Sequence, residues 1–207
     1  YRGAAPINWA LINGEKGTGV TTFYINSEID KGKVLDQVHI DIDSDDTAGS
    51  LHDRMMDIGA DLVLKTADAI AAGSAEAIAQ KTEALELRPA PKLTPDNRAI
   101  DWRHSAEDIR NLIRGLCPYP AATALLNLAG EEEKGVKVYG VSICETSLLS
   151  PGELRCDNGS FLEVGTLTND LLIEEIQLSG KRKMKIKDLL NGFQIPNESF
   201  FSLRNTE

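Results

Sequence analysis

The chain has 207 residues, 42% of them hydrophobic and 26% charged, with a formal net charge of −10. That length can bury one or two cores, no apolar run reaches the roughly 20 residues a bilayer span needs, and the first residues lack the basic-then-apolar pattern of a secretion signal. The acidity argues against a general nucleic-acid binder, yet it is uneven: residues 1–91 hold 8 Lys and Arg against 15 Asp and Glu, and residues 92–207 hold 14 against 17.

In chain order, Tyr1 to Ile7 reads as a loop punctuated by Gly3 and Pro6, followed by a short helix over Asn8 to Asn13 that Gly14 closes. Thr18 to Gln37 reads as two strands joined by a polar loop. Val20, Phe23 and Ile25 precede the loop, and Val34, Leu35, Val38 and Ile40 follow it. Within it, Asp30 sits at a tight turn next to Gly32, where backbone without a Cβ lets a ligand approach closely. A surface hairpin whose Asp merely favours a turn explains the same spacing, so spacing alone leaves both readings open.

Asp41 to Asp46 carries four carboxylates in six residues. It lacks the ligand order and distal Glu of a calcium loop, and reads as a solvated turn before a helix. Leu51, Met55, Ile58, Leu62 and Ala69 or Ile70 then recur at spacings of three and four, the signature of one buried helical stripe. Thr47 or Ser50 is placed to cap it, with Asp53 as capping-box partner of Ser50, and Gly73 is placed to end it. His52, on this helix, is given no role, and neither are His39 and His104.

Ile78 to Leu87 reads as extended. Three prolines between Arg88 and Pro95 make a stiff connector and a domain boundary. Ser105 to Asp108 has a capping-box pattern ahead of the apolar face Ala106, Ile109, Leu112, Ile113 and Leu116, and Cys117-Pro-Tyr-Pro120 stops that helix. Beyond it come short β segments at Ala122–Leu128, Val136–Cys144, Ser160–Val164 and Leu171–Gln177, separated by Gly- and Asn-containing turns. Such a run predicts a small barrel or sandwich. Met184 to Gly192 reads as a short helix. Cys117, Cys144 and Cys156 are odd in number and widely spaced, which predicts neither a disulfide framework nor a zinc site and suits a reducing cytosol.

The succession Tyr1-Arg2-Gly3-Ala4-Ala5-Pro6-Ile7, Gly19-Val20-Thr21 and Ile29-Asp30-Lys31-Gly32-Lys33 resembles the second half of the formyl-folate-dependent formyltransferase domain, that of the methionyl-tRNA branch in particular. Ala90-Pro91-Lys92-Leu93 and Ile100-Asp101-Trp102 resemble the segment leading into that family's C-terminal domain. Nearly the whole chain can be laid along the family. There, an Asn, a His and a Ser-Leu-Leu-Pro segment lie just upstream of the Arg-Gly-Ala-Ala-Pro motif, so here they would precede Tyr1. The resemblance therefore implies a C-terminal portion that starts inside the catalytic domain and is inactive by itself. The implied fold class is α/β plus β. Residues 1–89 are the second half of a Rossmann-like formyltransferase domain, 90–104 a linker, 105–195 an OB-like β-barrel, and 196–207 a weakly ordered tail.

The function this resemblance implies is transfer of a formyl group from 10-formyltetrahydrofolate to the amino group of methionyl-initiator tRNA, by a cytoplasmic monomer without metal or membrane contact. An oxyanion develops during the transfer, which a protonated His and an Asn amide would stabilise. Asp30 is the implied catalytic carboxylate, holding that His charged or moving a proton through water. Asn26, Ser27, Glu28, Ile29 and Gly32 are the implied folate contacts. Arg2 either holds a ligand's acid group or packs on the loop, while Glu28 and Asp36 are expected to pair with Lys31 or Lys33. Lys181, Arg182, Lys183, Lys185 and Lys187 put five positive charges within seven residues, either a tRNA phosphate-binding face or a solvated edge that discourages strand pairing. If this segment is extended, residues 181, 183 and 185 share a face while Met184 and Ile186 reach the core. A formyl-folate hydrolase or amino-sugar formyltransferase shares the same catalytic half, and an RNA-binding module with a non-functional enzyme half is the alternative of another class.

Overall fold

The computed structural model describes residues 1–28, 30–80 and 88–203. It divides into one unit of Tyr1–Leu11 with Glu15–Lys92 and a second of Ile12–Gly14 with the chain from Leu93 onward.

The first unit opens with β1 (Arg2–Gly3) and α1 (Pro6–Ile12), where Pro6 presets the backbone angle of the first helical residue. An antiparallel hairpin follows, β2 (Gly17–Phe23) against β3 (Val34–Asp41), in register from Gly17↔Asp41 to Phe23↔Val34 with a bulge at Thr22 and Phe23. Ile25, expected in the first strand, lies beyond its end and is 92% exposed. The bulge ends regular pairing at Phe23, so the residues after it belong to the connecting loop.

The long helix α2 (Ala48–Ala71) packs on that hairpin. Its N-cap is Thr47, whose Oγ1 accepts from the Ser50 amide at 3.1 Å while the Ser50 hydroxyl accepts from the Thr47 amide at 2.9 Å. Ser50 is thus the partner within the box rather than its cap, and Asp53 takes no part in it. Gly73, at φ +69°, ends the helix: its amide bonds to Ile70 O and that of Ser74 to Ala69 O. The buried stripe runs from Leu51 and Leu62 to Thr66, not Ile70, which is exposed. Thr66 satisfies its hydroxyl on Leu62 O at 2.7 Å and meets the Thr22 hydroxyl at 2.9 Å. The acidic turn before α2 is filled by Arg54, which donates to Asp41 O, Asp43 Oδ2 and Asp46 Oδ2 at 2.6, 3.1 and 2.7 Å. β4 (Pro89–Ala90) pairs parallel with β1. Gly3, at φ +142°, is required there because a Cβ would lie 2.1 Å from Ala90 O. Of the extended segment expected at Ile78 to Leu87, Ile78 bridges Val34, and residues 81–87 lie outside the described residues.

The second unit begins with α3 (Pro95–Arg98) and α4 (Ala106–Leu116). Ser105 caps α4 by accepting from the Asp108 amide at 3.1 Å. Ala106, Ile109, Ile113 and Leu116 are buried as the spacing predicts. The antiparallel sheet comprises β5 (Ala122–Asn127), β6 (Lys134–Ile143), β7 (Leu154–Cys156), β8 (Leu162–Val164), β9 (Leu171–Leu178), β10 (Met184–Lys185) and, after α5 (Ile186–Leu190), β11 (Phe200–Phe201). Its order is β11-β5-β6-β9-β8-β7, with β10 beside β9. A Glu153↔Phe200 bridge joins the two ends of that path, so the sheet curls into a nearly closed barrel. Irregular register around Gly140 lets both strands change face together, so Val138 and Val141 are buried opposite Ile176 and Ile173.

Two segments differ from expectation. Ile100 and Trp102, placed in a linker over 90–104, are buried core residues of this unit. In the expected tail over 196–207, Phe201 is fully buried and stacks on Trp102 with ring centroids 4.8 Å apart. The reason is the same for both: an aromatic side chain in a short Pro-punctuated polar segment has no periodicity, but burying it removes a large apolar area from water.

Candidate functional site

The loop between β2 and β3 presents Asp30 at φ +56° with its side chain exposed. This left-handed conformation is one that Asp tolerates better than most residues. Gly32 is buried where the loop returns to the hairpin. A Cβ on it would lie 1.5 Å from Tyr24 O, so no other residue fits without moving the backbone. The Tyr24 amide bonds to Lys33 O at 3.0 Å, which closes the base of the loop.

Of the expected folate contacts, Asn26, Ser27 and Glu28 lie exposed on one arm of the loop. The Asn26 side chain accepts the Glu28 amide at 2.9 Å and shapes that arm. Ile29 lies outside the described residues. Glu28 pairs with Lys31 at 3.0 Å, both exposed. Asp36 does not pair with Lys31 or Lys33; it meets Lys65 of α2 at 2.7 Å, and that bond from the ammonium lowers its carboxyl pKa.

Among the described residues, Arg2 contacts neither Asp30 nor an acidic side chain. Its Nη2 donates to Gln80 Oε1 at 2.6 Å, and Gln80 Nε2 donates to Asp30 O at 3.0 Å and to Gly32 O at 2.7 Å. Sequence reasoning missed Gln80. A lone Gln after an Ala-rich stretch has no motif, and its partners lie about 50 residues away. His39 and His52 are exposed beside Asp41 and Asp53 respectively.

The basic cluster lies on the second unit. Met184 and Lys185 form β10 opposite Ile176 and Glu175, while residues 181 to 183 form the turn before it. Met184 is half-buried and Ile186 buried, with the five basic side chains exposed. Lys183 differs from the other four: its Nζ is 2.6 Å from Glu175 and 4.9 Å above the Tyr139 ring, and the bond to Glu175 raises its pKa. A groove of about 750 Å³ on the same unit, lined by Thr123, Leu125, Lys137 and Gln177, contains none of the predicted site residues. Cys117 is buried, which raises its thiol pKa, and all three cysteines are free thiols. No described helix is long and apolar enough to cross a membrane. No described group of three or more His, Cys, Asp and Glu residues forms a metal site.

The formyl transferase model matches residues 1–86, and the formyl transferase C-terminal domain model matches residues 92–194. The methionyl-tRNA formyltransferase of Parabacteroides distasonis is 41% identical over 198 residues, covering 94% of this chain and 61% of that protein. That of Bacteroides fragilis is 42% identical over 199 residues, with the same two coverages. Among solved structures, HypX from Aquifex aeolicus in complex with tetrahydrofolic acid is 19% identical and superposes with a TM-score of 0.67, over 98% of this chain and 37% of its own. The chain thus spans about three fifths of the length of the curated relatives it matches, and shares the fold of part of HypX.

Proposed function

This chain belongs to the formyl transferase family, and from that premise we propose that it works within a methionyl-tRNA formyltransferase. The reaction moves the formyl group of 10-formyltetrahydrofolate onto the amino group of methionyl-initiator tRNA, in the cytoplasm and as a monomer. The observation that carries this reading is the tandem match: the unit with the Asp30 turn matches the formyl transferase model, the barrel-like unit matches the C-terminal one, and 94% of the chain aligns with enzymes of that name at about 40% identity.

The first unit belongs in this reading to a Rossmann-like catalytic domain, and the second is an OB-like tRNA-binding domain. Folate carries the formyl group to the site. Asn26 to Glu28 are exposed on the loop, where their polar groups suit the flat hydrogen-bonding edge of a pterin. Asp30 holds an imidazolium charged and oriented, or relays the amine's proton through water. Its exposed carboxylate at a left-handed turn is accessible to both roles.

On the second unit, Lys181, Arg182, Lys185 and Lys187 face solvent for tRNA phosphates, while Lys183 is neutralised by Glu175. In the complete protein, Asp30→Asn is expected to lower kcat at least roughly a hundredfold in a formyl-transfer assay with methionyl-tRNA, as loss of a proton-transfer group does. A near-normal kcat would return Asp30 to the role of turn residue. Replacing Lys181, Lys185 and Lys187 by Gln should flatten the salt dependence of tRNA binding by about 0.7 to 0.9 in log–log slope per lost contact. An unchanged slope would leave the cluster as a solvated edge.

A further inference from the structure

Asp30 is held without a partner for its carboxylate: among the described residues, nothing bonds to that side chain. Its direction is therefore set by the backbone of its turn. That backbone is in a left-handed conformation, which Asp tolerates without preferring it to the right-handed one, so a bond from outside the turn helps to define it. Gln80 supplies one from about fifty residues away. Its amide N–H groups reach Asp30 O at 3.0 Å and Gly32 O at 2.7 Å, one carbonyl on each side of Lys31.

The orientation of that amide follows from chemistry. A guanidinium only donates and a backbone carbonyl only accepts. Arg2, at 2.6 Å, can therefore bond only to the amide oxygen, and the two loop carbonyls only to the amide nitrogen. A flipped amide would lose all three bonds. Arg2 itself is fixed by the parallel pairing of β1 with β4, which ties the restraint to the sheet rather than to the loop.

We propose that Gln80 is a positioning residue for formyl transfer: it clamps the turn that aims Asp30, and Arg2 fixes the direction in which it does so. The proposal rests on Asp30 being the catalytic carboxylate. It explains why a neutral amide occupies this position. A carboxylate there would keep Arg2 as partner but turn an acceptor toward two carbonyls.

The test uses the complete protein, with steady-state transfer from 10-formyltetrahydrofolate to methionyl-tRNA. Gln80→Met removes the donors at similar volume, and Gln80→Glu removes them while retaining the Arg2 contact. Each should lower kcat by roughly 10- to 30-fold, the scale of two hydrogen bonds, with KM for methionyl-tRNA unchanged. Because the clamp holds a loop outside the core cluster, the global unfolding midpoint of each variant should stay near the wild-type value, which separates positioning from folding. Asp30→Asn preserves the turn, because Asn also adopts the left-handed conformation readily. If Gln80 acts through Asp30, the Asp30→Asn, Gln80→Met double variant should be no slower than Asp30→Asn alone. Additive losses in the double variant would overturn the proposal, as would a Gln80→Met rate within twofold of wild type beside an impaired Asp30→Asn. An Asp30→Asn enzyme at the wild-type rate would instead remove the carboxylate reading, and the positioning role with it.

Discussion

The two units bury very different amounts of apolar surface. Among the described residues, the core cluster of the second contains 24 buried side chains, from Ile100 to Phe201, and that of the first contains six. The first unit's long helix also leaves Met56, Val63 and Leu64 more than half exposed. Its hairpin turn, where Asp30 sits, is restrained from afar by two hydrogen bonds of one residue, Gln80. A barrel-like sheet buries its inner face by itself, whereas a two-stranded hairpin with one helix buries little. Within the described residues, then, the turn that carries Asp30 is defined by a few polar contacts, and the barrel-like sheet by its apolar core.

Removing the largest core side chain should sharpen this contrast most. Trp102→Ala should destabilise the second unit by about 3–5 kcal/mol, the usual cost of deleting a buried aromatic, because it also removes the stacking on Phe201. Urea unfolding followed by amide exchange in each unit should show that loss beyond Leu93 and an unchanged first unit. If both units lose protection together, they unfold as one body and the comparison breaks.

A smaller effect is expected in the first unit, at the turn filled by Arg54. Asp46 is buried there, which works against its charge. Bonds from the Asp43 amide, the Ser50 hydroxyl and Arg54 outweigh this and lower its pKa. Because the folded pKa is depressed, the stabilisation is present above the unfolded carboxylate range near pH 4. It is lost as pH falls through the folded value. Asp46→Ala should cost the first unit about 1.5–3 kcal/mol at neutral pH, the scale of a hydrogen bond to a charged group. It should also abolish that acid-dependent part of the unfolding free energy. A pH profile identical in both proteins would show that the ion pair contributes nothing there.

Much of this architecture was legible in the residues alone. Helix α4 and the first two-thirds of α2 follow from apolar spacings of three and four, and their ends from Thr47, Gly73 and Ser105. Those signals lie within a few residues of the elements they define, because a helix is built from contacts three and four positions apart. The β2–β3 hairpin and the longer strands β5, β6 and β9 show through alternation in the same local way. The Asp30 turn stood out through Gly32 and the family resemblance, but its chemistry is a proposal that no local pattern decides.

Tertiary structure decided the rest. The two-residue strands β10 and β11 are too short for alternation to register, and β11 is held by partners far away in sequence: β5 through its backbone and, nearly a hundred residues back, Trp102 through the stacking of Phe201. Thr66 belongs to the buried face of α2 because Thr22 meets its hydroxyl, a partner that no hydrophobicity pattern includes. Lys183 leaves the basic cluster because Glu175 of β9, which stands opposite Lys185, reaches it diagonally across the strand pair. Gln80 reaches the Asp30 turn only when the sheet brings Arg2 alongside. Local periodicity is written by neighbouring residues and can be read from them. A hydrogen bond or ion pair between distant residues leaves no mark on either neighbourhood until the chain has closed the loop between them.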